Sequence, residues 1–166
     1  MTGEKKGGSR AVRPAESQPD HGNAEGERPT VLVVDDLVDH REIMAAALEG
    51  AGYRILGAGD ADSALALVRQ EGPNLVFLDL DLRGSAMDSV QLLATLKRER
   101  PGLPVVAYTA WAIPQWQEKA RAAGCDAYLI KPVDLAELRA IAGTYLGSAK
   151  PRGTTGPGPH SDRSQP

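Results

Sequence analysis

The sequence predicts a doubly wound α/β domain, a five-stranded parallel sheet with five helices packed on both faces. Two observations carry this. Continuously apolar runs, VLVV at 31–34, LVFL at 75–78 and VVAY at 105–108, have the length and composition of strands buried on both faces. Between such runs lie stretches with helical spacing and short connections, so a strand–helix unit recurs five times within 117 residues.

The first strand is VLVV. The helix after it, over about 38–50, carries Ile43, Ala46, Ala47 and Leu48 as apolar positions and stops near Gly50 and Gly52. YRILG (53–57) is the second strand, followed by a helix over about 62–71 with Leu65, Leu67 and Val68 inside and Asp62 as its N-cap. LVFL leads to a helix over about 89–100, with Val90, Leu93 and Leu96 inside and Pro101-Gly102 as the stop. LPVVAYT (103–109) precedes a helix over about 115–123 ended by Gly124. AYLI (127–130) precedes the last helix, about 135–146, where Asp134 and Glu137 have capping-box spacing and Leu135, Leu138, Ile141 and Tyr145 form the buried stripe.

Composition bounds the domain. All seven aromatic residues lie in 30–146, whereas 1–29 hold 5 Gly and 3 Pro and 147–166 hold 4 Gly and 4 Pro. Both tails are expected to be disordered, because they offer too little apolar area to offset chain entropy. The 30–146 segment has net charge −5, which argues against a basic nucleic-acid-binding face. A single cysteine, Cys125, excludes a disulfide framework and suits a reducing compartment; it reads as a small core residue. No apolar run approaches the ~18 residues of a membrane span, and the N-terminus lacks the apolar stretch of a secretion signal. A cytoplasmic location is expected.

Ligands of open α/β sheets bind beyond the carboxyl ends of the strands. Four of the five strands deliver polar groups there: Asp35 and Asp36, then Asp79 and Asp81, then Thr109, then Lys131 and Pro132. Three carboxylates, Asp35, Asp36 and Asp79, would crowd one pocket and raise the pKa of some of them without a cation. Hard oxygen ligands of this kind suit Mg²⁺. Lys131 can meet a phosphoryl oxygen and Thr109 can donate a hydroxyl. A carboxylate nucleophile in that company is a phosphoryl-transfer site. Capping of the first helix is the plain alternative for Asp35 and Asp36.

VLVVDD (31–36), LVFLDLDL (75–82), VVAYTA (105–110) and AGCDAYLIKP (123–132), in this order and spacing, resemble the receiver domains of two-component response regulators over about 30–146. The resemblance implies a flavodoxin-like sheet of order 2-1-3-4-5, with Asp79 as phosphoacceptor. It implies Mg²⁺ held by Asp36, Asp79 and the backbone carbonyl of Asp81, with Asp35 acting through water. Lys131, before a cis bond to Pro132, would contact the phosphoryl group, and Thr109 and Tyr128 would be the switch pair. A sensor histidine kinase or a histidine phosphotransfer protein would be the donor, and a downstream target protein the recipient of the signal. TAWA (109–112) is most similar to receivers of phosphorelays and hybrid kinases.

The loop after Asp79 departs from the family pattern: 82–89 reads LRGSAMDS, without the usual Pro, with Ser89 in place of Gly, and with Met87-Asp88 two residues late. A phosphorylation-independent interaction module is one alternative this motivates. The other is a phosphatase resembling the haloacid dehalogenases, against which Arg83 stands where that family has Thr. Trp111 and Trp116 are either packing residues or a partner surface. His40 reads as a surface residue of the first helix. The 20 residues after 146 are too few for a DNA-binding output domain, so a stand-alone receiver without membrane or direct nucleic-acid contact is expected.

Overall fold

Valine and leucine, with Phe77 and Tyr108, fill the middle of a parallel sheet in the structure, a computed structural model that describes residues 27–147. The elements run β1 (Thr30–Val34), α1 (Val38–Glu49), β2 (Arg54–Ala58), α2 (Ala61–Glu71), β3 (Leu75–Asp79), α3 (Ser89–Glu99), β4 (Val105–Thr109), α4 (Pro114–Ala122), β5 (Ala127–Ile130) and α5 (Leu135–Leu146). The strand order is β2-β1-β3-β4-β5, with every neighbouring pair parallel. β1, β3 and β4 are buried along their whole length, whereas the edge strands β2 and β5 are partly exposed. Of the edge strands, β2 opens on Arg54 and carries Gly57, whereas β5 is apolar in sequence, AYLI, although only Leu129 is buried.

Side chains alternate across each strand. Leu32, Val34, Val76, Leu78, Val105 and Ala107 pack with α2, α3 and Ala120 of α4 on one face. Val31, Val33, Leu75, Phe77, Val106, Tyr108 and Leu129 pack with α1 and α5 on the other. The helix faces depart from expectation at several points. On α1 the buried stripe is Met44, Ala47 and Leu48, and Ile43, one 100° step away, is 55% exposed. Leu135, in the first turn of α5 ahead of the Leu138–Ala142 face, is also exposed. Asp60, not Asp62, caps α2: its carboxylate accepts from Ser63 N at 2.7 Å and from Ser63 Oγ at 2.9 Å, because the chain leaves β2 extended at residue 60. Asp134 caps α5 through Ala136 N. The reciprocal capping box is found at α3, where Asp88 accepts from Gln91 N and Gln91 Oε1 accepts from Asp88 N. Gly72 ends α2 at φ 57°, a conformation costly to any residue with a Cβ.

Register brings the strand ends together. Val34 pairs with Leu78, so Asp35 and Asp79 leave adjacent strands side by side. Asp79 pairs with Tyr108, and Thr109 with Ile130, so Lys131 follows at the same rim. Bonds from Leu80 N to Tyr108 O and from Lys131 N to Thr109 O extend the ladder past the strands and fix this edge. The expectations for the tails fall almost wholly on residues 1–26 and 148–166, outside the described residues.

Candidate functional site

Among the described residues, Asp35, Asp36 and Asp79 each present a carboxylate oxygen such that the three lie within 4.8 Å of one another. Asp35 is wholly buried, Asp79 is 2% exposed and Asp36 is half-buried at the mouth. Lys131 Nζ reaches across the sheet to Asp79 Oδ2 at 2.8 Å and to Asp35 Oδ2 at 3.3 Å. The peptide bond that follows it, to Pro132, is cis, as the resemblance to receiver domains implies.

The two buried acids have different surroundings. Asp35 accepts from Leu37 N at 2.8 Å, the Tyr108 hydroxyl at 2.8 Å, His40 Nδ1 at 3.0 Å and Lys131. Burial raises its pKa, but these donors together outweigh burial and hold the carboxyl below its ordinary value. Among the described residues, Asp79 accepts only from Lys131 and from Asp81 N, at 2.9 Å. There burial wins, with the charge of Asp35 adding to it, and the carboxyl is pushed up. Burial beside Asp35 drives the Tyr108 phenol far above its usual range, so it remains a donor. No buried polar side-chain atom among the described residues lacks a partner.

Thr109 is wholly buried, and its hydroxyl oxygen accepts from Trp111 N at 3.2 Å. The Tyr128 hydroxyl donates to Trp111 O at 2.9 Å, so the Trp111 backbone bridges the two. Trp111 is 46% exposed, while Trp116 is half-buried with Lys119 Nζ 4.8 Å from its ring centre. Asp81 directs its side chain to Arg83 at the surface and meets the site through its backbone. Ser89 Oγ accepts from Leu82 N, which ties the two ends of the departing loop together, and Ser85 Oγ accepts from Ala61 N, which ties its middle to the start of α2. Cys125 is half-buried against the core, and burial beside Asp126 raises its thiol pKa.

The structure thus gathers Asp35, Asp36, Asp79, Asp81, Thr109 and Lys131 at one rim and places Tyr128 and Trp111 beside Thr109. Trp116 stands apart on α4. Tyr108 and His40 were missing from the sequence reading of the site, and His40 is no bystander of the α1 surface. The signal for Tyr108 was the two-residue alternation, which puts Asp35, Asp79, Tyr108 and Lys131 on one sheet face. Asp35 does accept from the first turn of α1, through Leu37, so the capping role and the site role coexist.

The donor set suits a small hard cation. Three carboxylates supply oxygen only, and half-buried Asp36 leaves the mouth open to the waters that Mg²⁺ retains. The oxygens of Asp35, already engaged by four donors, suit contact through water.

Comparison with known proteins agrees with this fold. The response regulator receiver domain model matches residues 31–142. The nitrogen assimilation regulatory protein NtrX of Azorhizobium caulinodans is 36% identical over 122 residues, 74% of this chain and 27% of that protein. The probable transcriptional regulatory protein TcrX of Mycobacterium tuberculosis is 38% identical over 115 residues, 69% of this chain and 48% of that protein. The chain therefore matches only about a quarter to a half of the length of these relatives. The crystal structure of the receiver domain of NtrX from Brucella abortus superposes with a TM-score of 0.67 at 38% identity, covering 70% of this chain and 97% of that one.

Proposed function

The chain belongs to the response regulator receiver domain family of two-component signalling, and we propose that it accepts a phosphoryl group on Asp79 in a Mg²⁺-dependent reaction and passes the change to a protein-binding face. The observation that carries this reading is the pairing of buried Asp79 with Lys131, 2.8 Å apart, beside two further carboxylates.

Asp36, Asp79 and the Asp81 carbonyl would hold the metal, with Asp35 acting through water. Bound Mg²⁺ supplies charge neutralisation for the phosphoryl oxygens. The ionised Asp79 oxygen attacks phosphorus of a phosphohistidine on a sensor kinase or phosphotransfer protein. A P–O bond forms, the P–N bond breaks, and the electron pair leaves with the donor imidazole, giving an acyl phosphate. Lys131 keeps Asp79 ionised before transfer and afterwards pairs with a phosphoryl oxygen. In this sense the chain assists its own phosphorylation and dephosphorylation without being an enzyme toward another substrate.

The added charge, about −1.5 to −2 by analogy with phosphoserine, draws the Thr109 hydroxyl inward. That motion breaks its contact with Trp111 N, frees Trp111 O from Tyr128 and shifts the exposed surface around Trp111, a change of population between two packings. A downstream protein reads that surface, with Trp111 and Trp116 as its contacts, in the cytoplasm. Residues 30–146 form the receiver unit.

Incubation with acetyl phosphate tests this. Incorporation of one phosphoryl group in Mg²⁺, lost in EDTA and in Asp79→Ala, is expected. Incorporation that survives in Asp79→Ala overturns it. Partner binding unaffected by phosphorylation would instead support the interaction-module alternative.

A further inference from the structure

Tyr108 is the residue of the site that its chemistry does not yet use. It is 1% exposed, at the end of β4, directly beside Asp79 in the sheet register. Its side chain spans the rim in two ways. The hydroxyl donates to Asp35 Oδ2 at 2.8 Å, a bond between residues 73 apart in sequence. The ring face lies under Lys131 Nζ, 4.7 Å from the centroid. One rigid group thus holds both the anion and the cation that flank Asp79.

We propose that Tyr108 is a positioning residue for the metal and phosphoryl site, whose hydroxyl fixes the Asp35 carboxylate and whose ring seats the Lys131 ammonium. The inference rests on the reading of Asp35, Asp36 and Asp79 as a Mg²⁺ site. Its physical basis is that a carboxylate able to turn orients a metal-bound water poorly, whereas one held by a charge-assisted hydrogen bond is already oriented. Burial makes the bond strong, because water cannot replace the donor. Lys131 gains from the ring face by cation–π attraction. His40 bonds the same Asp35 oxygen but is 41% exposed on its side chain, so water can substitute for it and cannot for Tyr108.

Tyr108→Phe separates the two parts, keeping the ring and deleting the hydroxyl. Calorimetric titration with Mg²⁺ should show binding about tenfold weaker than wild type, the scale typical for removing a group that orients a metal ligand. In the unaltered protein, with tyrosine labelled at Cζ, the Tyr108 resonance should move with the same half-saturation as the calorimetric curve. This second measurement does not depend on a variant that folds. Mg²⁺ binding unchanged within twofold in a folded Tyr108→Phe, or a Tyr108 signal indifferent to Mg²⁺, overturns the inference and leaves the Mg²⁺ site standing. A wild-type protein that binds no Mg²⁺ overturns both.

Discussion

The Lys131 ammonium lies 2.8 Å from Asp79 and 3.3 Å from Asp35, so one cation offsets two carboxylates that are each almost wholly buried. Removing it leaves two buried like charges facing each other without a neutralising cation. In EDTA, urea unfolding of Lys131→Met should show a loss of about 1–3 kcal/mol, the scale for leaving a buried polar partner unsatisfied. Mg²⁺ should restore part of it. An unchanged midpoint in EDTA would count against the pairing.

Metal-free stability should depend on pH in opposite senses through the two acids. The Asp79 carboxyl is raised by burial above its ordinary 3.8, so its contribution is full below 3.8 and is lost as pH climbs through the folded value. Asp35 is held down by its donors against the effect of burial; its contribution is present above 3.8 and is lost as pH falls through the folded value. Thermal melts in EDTA should therefore show Asp79→Asn more stable than wild type near neutrality, the gain shrinking as pH drops. Asp35→Asn should be less stable at neutrality. An Asp79→Asn protein that melts below wild type at neutral pH contradicts this assignment of charge.

Asp88 serves the fold and not the chemistry of the site. Its capping box with Gln91 starts α3, and Asp88→Ala should cost about 1 kcal/mol in chemical denaturation. Acetyl phosphate labelling should persist in this variant. A midpoint equal to wild type would remove the cap from the account.

Trp111 should report the switch. In Trp116→Phe it is the sole tryptophan, and its emission should change on adding beryllofluoride with Mg²⁺. The change should vanish when Thr109→Ala is added, since Thr109 is the link from the site to the Trp111 backbone. A response that persists without the Thr109 hydroxyl places the link elsewhere.

Most of the rim was legible in the sequence because a parallel strand carries its ligand residues at its own carboxyl end. Asp35, Asp79, Thr109 and Lys131 are each local to one apolar run. Tyr108 was legible only as to face, since alternation puts it on the side of Asp35 and Asp79 but does not give its bond to Asp35; His40 was not legible, because its contact depends on the phase of α1. The same phase explains Ile43: its spacing fits a helix, but the stripe that meets the sheet is Met44, Ala47 and Leu48. The cap at Asp60 follows from the extended backbone leaving β2, which composition does not encode. The unusual 82–89 loop has a structural sense as well. The two-residue delay of Met87-Asp88 puts an aspartate at the start of α3, and the turn before it passes through Gly84 at φ 77°.

Asp79 is the residue proposed to carry the phosphoryl group. Borohydride reduction after acetyl phosphate treatment, followed by peptide mass spectrometry, converts an acyl phosphate to an alcohol and marks the residue that held it. The mark should fall on Asp79 alone, and only when Mg²⁺ is present during phosphorylation. A mark on Asp35, Asp36 or Asp81, or labelling at Asp79 undiminished by EDTA, would contradict it.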